Sequence, residues 1–404
     1  MVFRFVHAAD LHLDTPFEGL QRSDGVLGKR LVEASLDALD ALVAMAIREQ
    51  AEFVLLAGDL YDGAERGLRA QLRLHGATQR LATAGIRTFI VHGNHDPIDE
   101  GWSAIGAWPA EVTIFPSERV DTNELTTSDG SRVTVTGTSY ARRHETENLS
   151  ARYPGRTGTE FRIAVLHANV GSDEHAPYSP CCVEDLRAAG YDYWALGHIH
   201  RRATLLDRPR IAYPGNLQGR SFKPSEQGPK GALLVTVDKG IVHDRFVELG
   251  PIRFEEYDVD VAGCEDVAGV LGRVLAAASA VASRELVVRV VLRGITKLHE
   301  ELHELETIDP LLESLRDRAP RIHWDSIEVE TTPDKSLAEL ASREDLRGQL
   351  AREALQRIAQ PLDIRKLLRR EEATADLLDE LGDTELASLT ADAAALAFNA
   401  LERR

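Results

Sequence analysis

Cysteine is scarce in this sequence, and long hydrophobic runs are absent from it. Only three of the 404 residues are cysteine, too few for a disulfide framework, which excludes the small disulfide-rich secreted proteins. No stretch approaches the roughly 18 consecutive apolar residues that a membrane-spanning helix needs. Arg4 and Asp10 place charge where the apolar core of a secretory leader would run. We therefore expect a cytoplasmic protein without a membrane segment.

Positive charge is also in deficit, because 47 Lys and Arg face 65 Asp and Glu and leave a formal net charge of -18. This excess of negative charge favours solubility and argues against a protein that coats polyanions nonspecifically, although it leaves room for a local basic cleft. Hydrophobic residues make up 43% of the chain, as in globular proteins. A chain of this length exceeds a single hydrophobic core, so we expect two or three domains.

Residues 1–250 are predicted to form an α/β domain, because short apolar runs alternate with amphipathic stretches. The first part predicts a β-α-β-α-β order, with segments at Phe3–Ala8, Leu31–Arg48, Phe53–Ala57, Leu68–Ala84 and Thr88–Val91. Shorter strand-like runs after Asp96 predict a second sheet with hairpins, which ends in a final strand at 232–237. The polar stretch Gln218–Lys230 is rich in Gly, Pro and Ser and predicts an exposed loop.

Two further regions follow this domain. Residues 251–332 alternate between strand-like and helix-like segments, which predicts a small separate α+β domain. From 333 to 404, leucine and alanine recur at helical spacing, and Pro361 and Gly382 divide the segment into three predicted helices. These helices either pack on the core or dock another chain, since amphipathicity shows only that one face is buried.

Histidines and carboxylates gather in five short motifs, each placed where a predicted strand ends. The motifs are Asp10-Leu11-His12, Gly58-Asp59-Leu60-Tyr61-Asp62, Gly93-Asn94-His95-Asp96, His167-Ala168-Asn169 and Gly197-His198-Ile199-His200. Ligands of open α/β sheets bind outside the carboxyl ends of the strands. Motifs that are far apart in sequence are therefore expected to meet in one crevice.

The residue types in these motifs favour a metal centre. Carboxylate oxygen, amide oxygen and imidazole nitrogen, without thiolate, suit Mn, Fe, Zn or Ni rather than an iron–sulfur cluster or a cysteine-type zinc site. Seven candidate ligands are too many for one tetrahedral ion. Two ions about 3.5 to 4 Å apart that share a carboxylate account for the number and form a clamp for in-line displacement at phosphorus.

The order of the motifs, D-x-H, G-D-x-x-D, G-N-H-D, a lone His and G-H-x-H, resembles the calcineurin-like metallophosphoesterase superfamily over residues 3–237. Within it, Ala9–Asp14 and Tyr213–Arg220 resemble the SbcD-type DNA repair exonucleases, and most of all their YhaO-like branch. The resemblance implies a four-layer α+β sandwich, followed by a small α+β cap domain and a helical carboxyl-terminal segment.

The resemblance also implies a set of seven metal ligands, which are Asp10, His12, Asp59, Asn94, His167, His198 and His200. Asp59 would bridge two divalent ions. The remaining ligands of the first ion would be Asp10, His12 and His200, and those of the second would be Asn94, His167 and His198. Manganese is the expected metal, with iron, zinc and nickel as alternatives.

Next to these ligands, His95 would act as a general acid or stabilise the transition state, and Asp62 would orient its ring. Asp14 and Asp96 are candidates to accept hydrogen bonds from ligating imidazoles. Many superfamily phosphatases carry arginine directly after G-D-x-x-D, whereas this chain has Gly63. The missing arginine disfavours a phosphomonoesterase and is compatible with the SbcD type.

Four arginines near the motifs, Arg142, Arg143, Arg202 and Arg220, are candidates to line a nucleic-acid groove, with plain solvation as the alternative interpretation. The primary hypothesis is a metal-dependent phosphodiesterase that acts on DNA as exonuclease or endonuclease. By resemblance, it would work with an SbcC-like coiled-coil ABC-type ATPase and form a homodimer. The alternatives are hydrolysis of a small nucleotide or other phosphodiester, and a metal-stabilised scaffold without catalytic activity.

Overall fold

The structure is a computed structural model that describes residues 2–15, 25–63, 67–99, 103–172, 177–279, 285–334 and 337–358, together with positions 382, 386, 389 and 390. The chain divides into two compact units. The first comprises residues 1–256, 281–289 and 320–325, and the second comprises residues 257–280, 290–319 and 326–404.

Two six-stranded sheets form the centre of the first unit. In chain order their strands are β1 (Val2–Ala8), β2 (Phe53–Ala57), β3 (Arg87–Val91), β4 (Val112–Ile114), β5 (Asp121–Thr126), β6 (Arg132–Gly137), β7 (Phe161–His167), β8 (Tyr193–Gly197), β9 (Ala203–Leu206), β10 (Arg210–Tyr213), β11 (Gly231–Asp238) and β12 (Ile241–Glu248). The strand orders are β12-β11-β1-β2-β3-β4 and β5-β6-β7-β8-β10-β9. β1, β2 and β3 are parallel neighbours, and so are β7 and β8, so within each sheet these carboxyl ends share one edge.

Helices cover the outer faces of both sheets. α1 (Gly25–Arg48) and α2 (Leu68–Thr83) contribute Leu39 and Leu74 to a core shared with Val6 and Val54 of the first sheet. On the second sheet, a short 3-10 helix (Leu149–Arg152) and α3 (Val183–Ala188) share a core with Trp194. The result is a four-layer sandwich, which confirms the predicted fold class.

The inner faces of the two sheets meet in a core that we call the inter-sheet core, formed around Phe5, Phe53, Val165, Tyr193 and Val235. The rings of Phe5 and Phe53 stack with centroids 5.0 Å apart. Full burial of one such side chain stabilises the fold by roughly 1.5–3 kcal/mol. Because side chains alternate along a strand, Phe5 faces this core while its neighbour Val6 faces the helices.

The remaining elements are β13 (Ile252–Asp260), α4 (Val267–Ser279), β14 (Glu285–Thr296), α5 (His299–Leu302), α6 (Leu305–Arg318), β15 (Ile322–Pro333), α7 (Leu337–Ala341) and α8 (Leu346–Ile358). The three strands form a sheet in the order β13-β14-β15. In the second unit, Arg293 Nη1 lies 2.9 Å from Glu330. Within the described part of the chain, no helix combines the length and the apolar character that crossing a membrane requires.

Sequence patterns missed three edge strands of the two sheets, β5, β9 and β12. β11 was predicted to be the last strand of the domain. The first sheet continues instead to β12, which pairs with β11 along its whole length. β5 was not predicted either, and its sequence, DTNELT, is largely polar. An edge strand with one solvated face needs few apolar residues, so its pattern is weak. The predicted helices beyond residue 358 lie outside the described residues, apart from the four single positions.

Candidate metal centre

The seven predicted metal ligands lie together at the carboxyl ends of five strands, all within the first unit. Asp10 and His12 follow β1, Asp59 follows β2, Asn94 follows β3, His167 ends β7, and His198 and His200 follow β8. We call these seven residues the strand-end cluster. Asp10, His12 and His200 each bring a ligand atom within 4.8 Å of the others, and so do Asp10, Asp59 and His167. The structure thus brings together residues up to 190 positions apart.

Asp59 occupies the middle of the strand-end cluster. Its Oδ2 lies 3.3 Å from Nε2 of His167 and 3.9 Å from Nε2 of His12. Its Oδ1 accepts a hydrogen bond from the backbone N–H of His95 at 2.9 Å. A carboxylate oxygen placed between histidines of both predicted ligand sets has the position that a bridging ligand needs.

The rings of His12, His167 and His200 each direct Nε2 toward the centre of the cluster. His167 donates its Nδ1–H to the carbonyl of Ala57 at 2.9 Å, so Nε2 faces Asn94 Oδ1 at 3.0 Å as well as Asp59. Nδ1 of His200 is hydrogen-bonded to the carboxylate of Glu226, and Nε2 of the same ring lies 3.1 Å from Nε2 of His12. Acceptor atoms that converge in this way fit a divalent cation, and the nitrogen and oxygen donors suit Mn, Fe, Zn or Ni.

Backbone conformation at the cluster is unusual. Asp10, His12, Asp59 and His198 all have positive φ, at 52°, 41°, 50° and 104°. Residues other than glycine rarely adopt this region, and each instance costs of order 1–3 kcal/mol unless the surroundings impose it. Four of the eight described non-glycine residues with positive φ are thus predicted ligands, and backbone strain of this kind is common at functional sites.

Close packing of the loops leaves no room for side chains at some positions. A Cβ on Gly93 would lie 2.3 Å from Asp59 Oδ1, so only glycine fits there. The backbone N–H of Asp10 donates to Gly58 and that of His12 to Asp59, both at 3.0 Å. The backbone N–H of His198 donates to both carboxylate oxygens of Asp10, at 3.0 and 3.1 Å. These bonds fix the loops from both sheets against one another.

Burial and charge oppose each other at the cluster. Burial raises the pKa of Asp59, but the charge and hydrogen bond of His167 outweigh it and hold this pKa well below its usual range. Burial lowers the pKa of His167, while the charge of Asp59 and its hydrogen bond raise it to about 9. The pKa of Asp10 is raised by burial, and that of His12 is lowered by burial.

His95 and Asp62 lie at the open rim of the cluster, with side chains 31% and 27% exposed. His95 Nδ1 lies 2.6 Å from Asp62 Oδ1, and Arg220 Nη1 lies 2.9 Å from Asp62 Oδ2. Burial lowers the pKa of His95, but the hydrogen bond to Asp62 and the charge of Asp59 outweigh it and raise this pKa. The contact between His95 and Asp62 is the one predicted, and their catalytic roles stay predictions.

Of the four candidate DNA-contacting arginines, Arg220 is the one whose ion pair places it beside the cluster. Arg142 and Arg143 are exposed. The guanidinium of Arg202 lies 4.3 Å from the ring centroid of Phe246 on β12. Arg202 is exposed to solvent and also packs on an aromatic ring through this cation–π contact.

Carboxylates around the cluster were predicted less well. Asp96 accepts hydrogen bonds from the backbone of Leu60 and Gly93 and from His92, which is not a predicted ligand, so it braces two loops. Asp14 lies 3.4 Å from the guanidinium of Arg69. These contacts differ from the expected hydrogen bonds to ligating imidazoles.

Glu226 is a carboxylate that was not singled out from the sequence, and it lies 2.5 Å from Nδ1 of the predicted ligand His200. It lies in Gln218–Lys230, which was predicted to be an exposed loop. That prediction is wrong for Gln218, Glu226 and Lys230, which are buried. Burial raises the pKa of Glu226, but the hydrogen bond and charge of His200 outweigh it and hold this pKa at about 2. A glutamate among Gly, Pro and Ser gives no local signal of burial.

Comparison with known proteins identifies the family. A calcineurin-like phosphoesterase model matches residues 3–202, and a model of the middle domain of metallophosphoesterase YhaO matches residues 254–335. The uncharacterized metallophosphoesterase YhaO of Bacillus subtilis (strain 168) is 38% identical over 321 residues, which cover 78% of this chain and 77% of that protein. The chain belongs to the calcineurin-like phosphoesterase family.

Family membership confirms part of what the motifs predicted. The chain is a metallophosphoesterase, a hydrolase of phosphoester bonds, and its relationship to YhaO is confirmed. The family uses divalent metals in a dinuclear site, for which the strand-end cluster supplies candidate ligands. Among solved structures, a dimetal phosphatase from Danio rerio matches with 14% identity and a TM-score of 0.37 over 61% of this chain and 99% of that chain. GAP50, the anchor in the inner membrane complex of Plasmodium, matches with 16% identity and a TM-score of 0.39 over 61% of this chain and 85% of that chain.

Proposed function

We propose that this metallophosphoesterase is a cytoplasmic, manganese-dependent phosphodiesterase that cleaves DNA as an exonuclease, an endonuclease or both. The observation that carries the proposal is the position of Arg220. This residue ends the segment Tyr213–Arg220, which resembles the SbcD type, and its ion pair with Asp62 places a cation at the rim beside His95. A cation there suits a substrate whose phosphates extend beyond the scissile bond.

In the proposed hydrolysis, the metal ions and the side chains of this chain have separate roles. When bound, two divalent ions supply Lewis-acid activation of water and of phosphoryl oxygens. Asp10, His12, Asp59 and His200 would hold one ion, and Asp59, Asn94, His167 and His198 the other. His95 commits Nδ1 to Asp62, so Nε2 is left to donate a proton or a hydrogen bond to an oxygen of the reacting phosphate.

The backbone at position 63 supports a diester over a monoester. Gly63 has a φ of 97°, which favours glycine and strains any residue with a Cβ. An arginine that grips a terminal phosphate, as many superfamily phosphatases carry directly after G-D-x-x-D, would be strained at this position. Phosphate binding then falls to groups such as Arg220 that suit an internal diester.

Substrate choice is tested with four substrates in the presence of Mn²⁺: a labelled DNA duplex, a labelled single strand, bis-p-nitrophenyl phosphate and p-nitrophenyl phosphate. Cleavage of DNA and of the small diester, lost in His95→Ala, supports the proposal. Cleavage of the small diester alone would favour a small nucleotide or another phosphodiester as substrate. Cleavage of p-nitrophenyl phosphate alone, or of none of the four, would overturn the proposal and, in the second case, favour the scaffold.

DNA binding is tested separately by its salt dependence. If Arg142 and Arg143 contact phosphates, the affinity for DNA falls steeply as salt rises, and the Arg142→Ala, Arg143→Ala double variant has a shallower dependence. Arg245→Ala is the matched control, because this exposed arginine lies on β12 and pairs with Glu49. Equal salt slopes in all three proteins would assign Arg142 and Arg143 to plain solvation.

An SbcC-like ATPase partner and a homodimer complete the proposal. Leu346 and Leu350 on α8 are 67% and 38% exposed, which supports residues 333–404 as a docking segment. Light scattering tests the dimer. Co-purification with a coiled-coil ABC-type ATPase, compared between the full chain and a chain ending at Asp334, tests the partner, and equal recovery would contradict docking through this segment.

A further inference from the structure

The carboxylate of Glu226 lies directly behind the ring of His200. Its Oε1 is 2.5 Å from His200 Nδ1, and the residue is 4% exposed. Its Oε2 accepts hydrogen bonds from Asn216 Nδ2 at 2.8 Å and from the backbone N–H of Arg220 at 3.0 Å. With both oxygens engaged, the carboxylate cannot rotate away from His200.

The same loop also holds the backbone of His200. Lys230 donates from Nζ to the carbonyl of His200 at 3.1 Å, and the backbone N–H of Asn216 donates to the same carbonyl at 3.3 Å. A Cβ on Gly215 would lie 2.8 Å from this oxygen, so glycine permits the close approach. The ring and the carbonyl of His200 are thus both anchored by residues 215–230.

The geometry points to Glu226 as a positioning residue that fixes the tautomer and the orientation of His200. A proton held on Nδ1 by the carboxylate leaves Nε2 free to bind a cation, and a carboxylate behind a metal-binding imidazole also raises its basicity. Glu226 therefore tunes the affinity for the ion held with Asp10 and His12. This inference depends only on the metal site, so its test does not depend on whether DNA is the substrate.

The histidine ligands of the two predicted ions are held by different kinds of acceptor, so the proposal predicts different effects on the two ions. His167 donates Nδ1–H to a backbone carbonyl, that of Ala57, and no side-chain substitution removes this acceptor. His200 depends on a side chain. Loss of Glu226 is therefore expected to weaken one of the two ions and to spare the other.

Metal-free Glu226→Gln protein is titrated with Mn²⁺ while free Mn²⁺ is followed by electron paramagnetic resonance. We expect one ion to bind with wild-type affinity and the other to bind roughly 10- to 100-fold more weakly. Asp244→Asn is the matched control, because this partly buried carboxylate pairs with Arg210 on β10. Among the residues that the structure describes, Asp244 makes no hydrogen bond to a predicted ligand. The melting temperature of each metal-free variant is measured in parallel.

Three results would overturn the proposal: wild-type affinity for both ions in Glu226→Gln, an equal loss in Asp244→Asn, or a loss accompanied by a lower melting temperature, which would assign Glu226 to loop stability. The tautomer of His200 can also be measured in the wild-type chain, without any variant. In metal-free protein labelled with ¹⁵N at histidine, long-range ¹H–¹⁵N correlation should find a proton on Nδ1 of His200. A ring without a proton on Nδ1 contradicts the assignment.

Discussion

His7 and His167 are equally buried, yet they lie in regions of opposite chemistry. His7 contacts the inter-sheet core, where its ring bonds to the hydroxyl of Tyr193 at 2.9 Å and to the carbonyl of Leu196 at 3.1 Å. His167 belongs to the strand-end cluster, where Nε2 faces the carboxylate of Asp59 at 3.3 Å. Neither side chain is exposed to solvent.

The two rings respond to burial in opposite ways. Burial lowers the pKa of His7 to about 3, because its partners are uncharged. Burial also lowers the pKa of His167, but Asp59 outweighs it and raises this pKa to about 9. The type of partner, rather than the depth of burial, decides whether a buried histidine is a neutral part of the core or belongs to a centre built to hold charge.

The sharpest way to break this comparison is to neutralise Asp59. Asp59→Asn keeps the size of the side chain and removes the charge between His12 and His167, so both ions should be lost. Hydrolysis of bis-p-nitrophenyl phosphate should fall by more than about 100-fold, since removing even an outer hydrogen-bond partner of a ligand can cost that much. Metal content by mass spectrometry and initial rates measure the effect. If the variant retains both ions, the bridging role is wrong.

His95→Ala separates catalysis from metal binding within the cluster. Turnover should fall by roughly 10²- to 10⁴-fold, because a general acid contributes about that factor, while metal content stays at the wild-type level. The exposed His243, on β12, gives the control variant His243→Ala. Full activity in His95→Ala would remove its assigned role, and loss of metal would make it a ligand instead.

Asp96→Asn tests the bracing that supports the cluster. Asp96 accepts from Leu60, Gly93 and His92, and an amide leaves at least one of these buried donors without an acceptor. The free energy of unfolding of the metal-free protein should fall by about 1–3 kcal/mol, measured by denaturant titration. The exposed Asp121 supplies the control, since Asp121→Asn should change stability by less than about 0.5 kcal/mol. An equal effect in both variants would contradict the bracing role.

His7 should make the core sensitive to mild acid. Its pKa of about 3 in the folded chain lies below the 6.5 of an unperturbed histidine. Below pH 6.5 the unfolded chain therefore binds a proton that the folded chain excludes, so this stability is complete above pH 6.5 and is lost as the pH falls. The expected slope is about 1.4 kcal/mol per pH unit.

The matching variant is His7→Gln, which removes the titrating group while keeping a polar side chain. Its free energy of unfolding, measured from neutral pH down to mild acid, should lack the contribution of His7 to the slope. Parallel curves for wild type and variant would show that the ring of His7 does not control acid stability.

The elements that position the metal centre could be predicted from local patterns. β1, β2 and β3 are short apolar runs, and the polar motifs begin where these runs end, so topology rules suffice to bring the motifs together. Edge strands such as β5 and β12 could not be predicted in this way, because half of each strand is solvated and the apolar alternation is weak.

Glu226 shows why part of the site escaped sequence reasoning. Its neighbours in Gln218–Lys230 are typical of a solvated loop, and its burial arises from Asn216, His200 and the backbone of Arg220. The contact with His200 spans 26 residues, and no periodicity connects the two positions. Likewise, the loop-bracing bonds of Asp96 reach the backbone of Leu60, which carries no side-chain signal.

By itself, the sequence determined the donor types, their order and their placement after strands, because these depend on composition and on local periodicity. Only the tertiary structure decided which nitrogen of each imidazole faces the centre, which carboxylate lies between two histidines and which backbone adopts positive φ. His12 and His200 are 188 residues apart and approach to 3.1 Å. Such a contact is decided by the packing of two sheets, because local preferences fix the strands and leave the meeting of their ends to the fold.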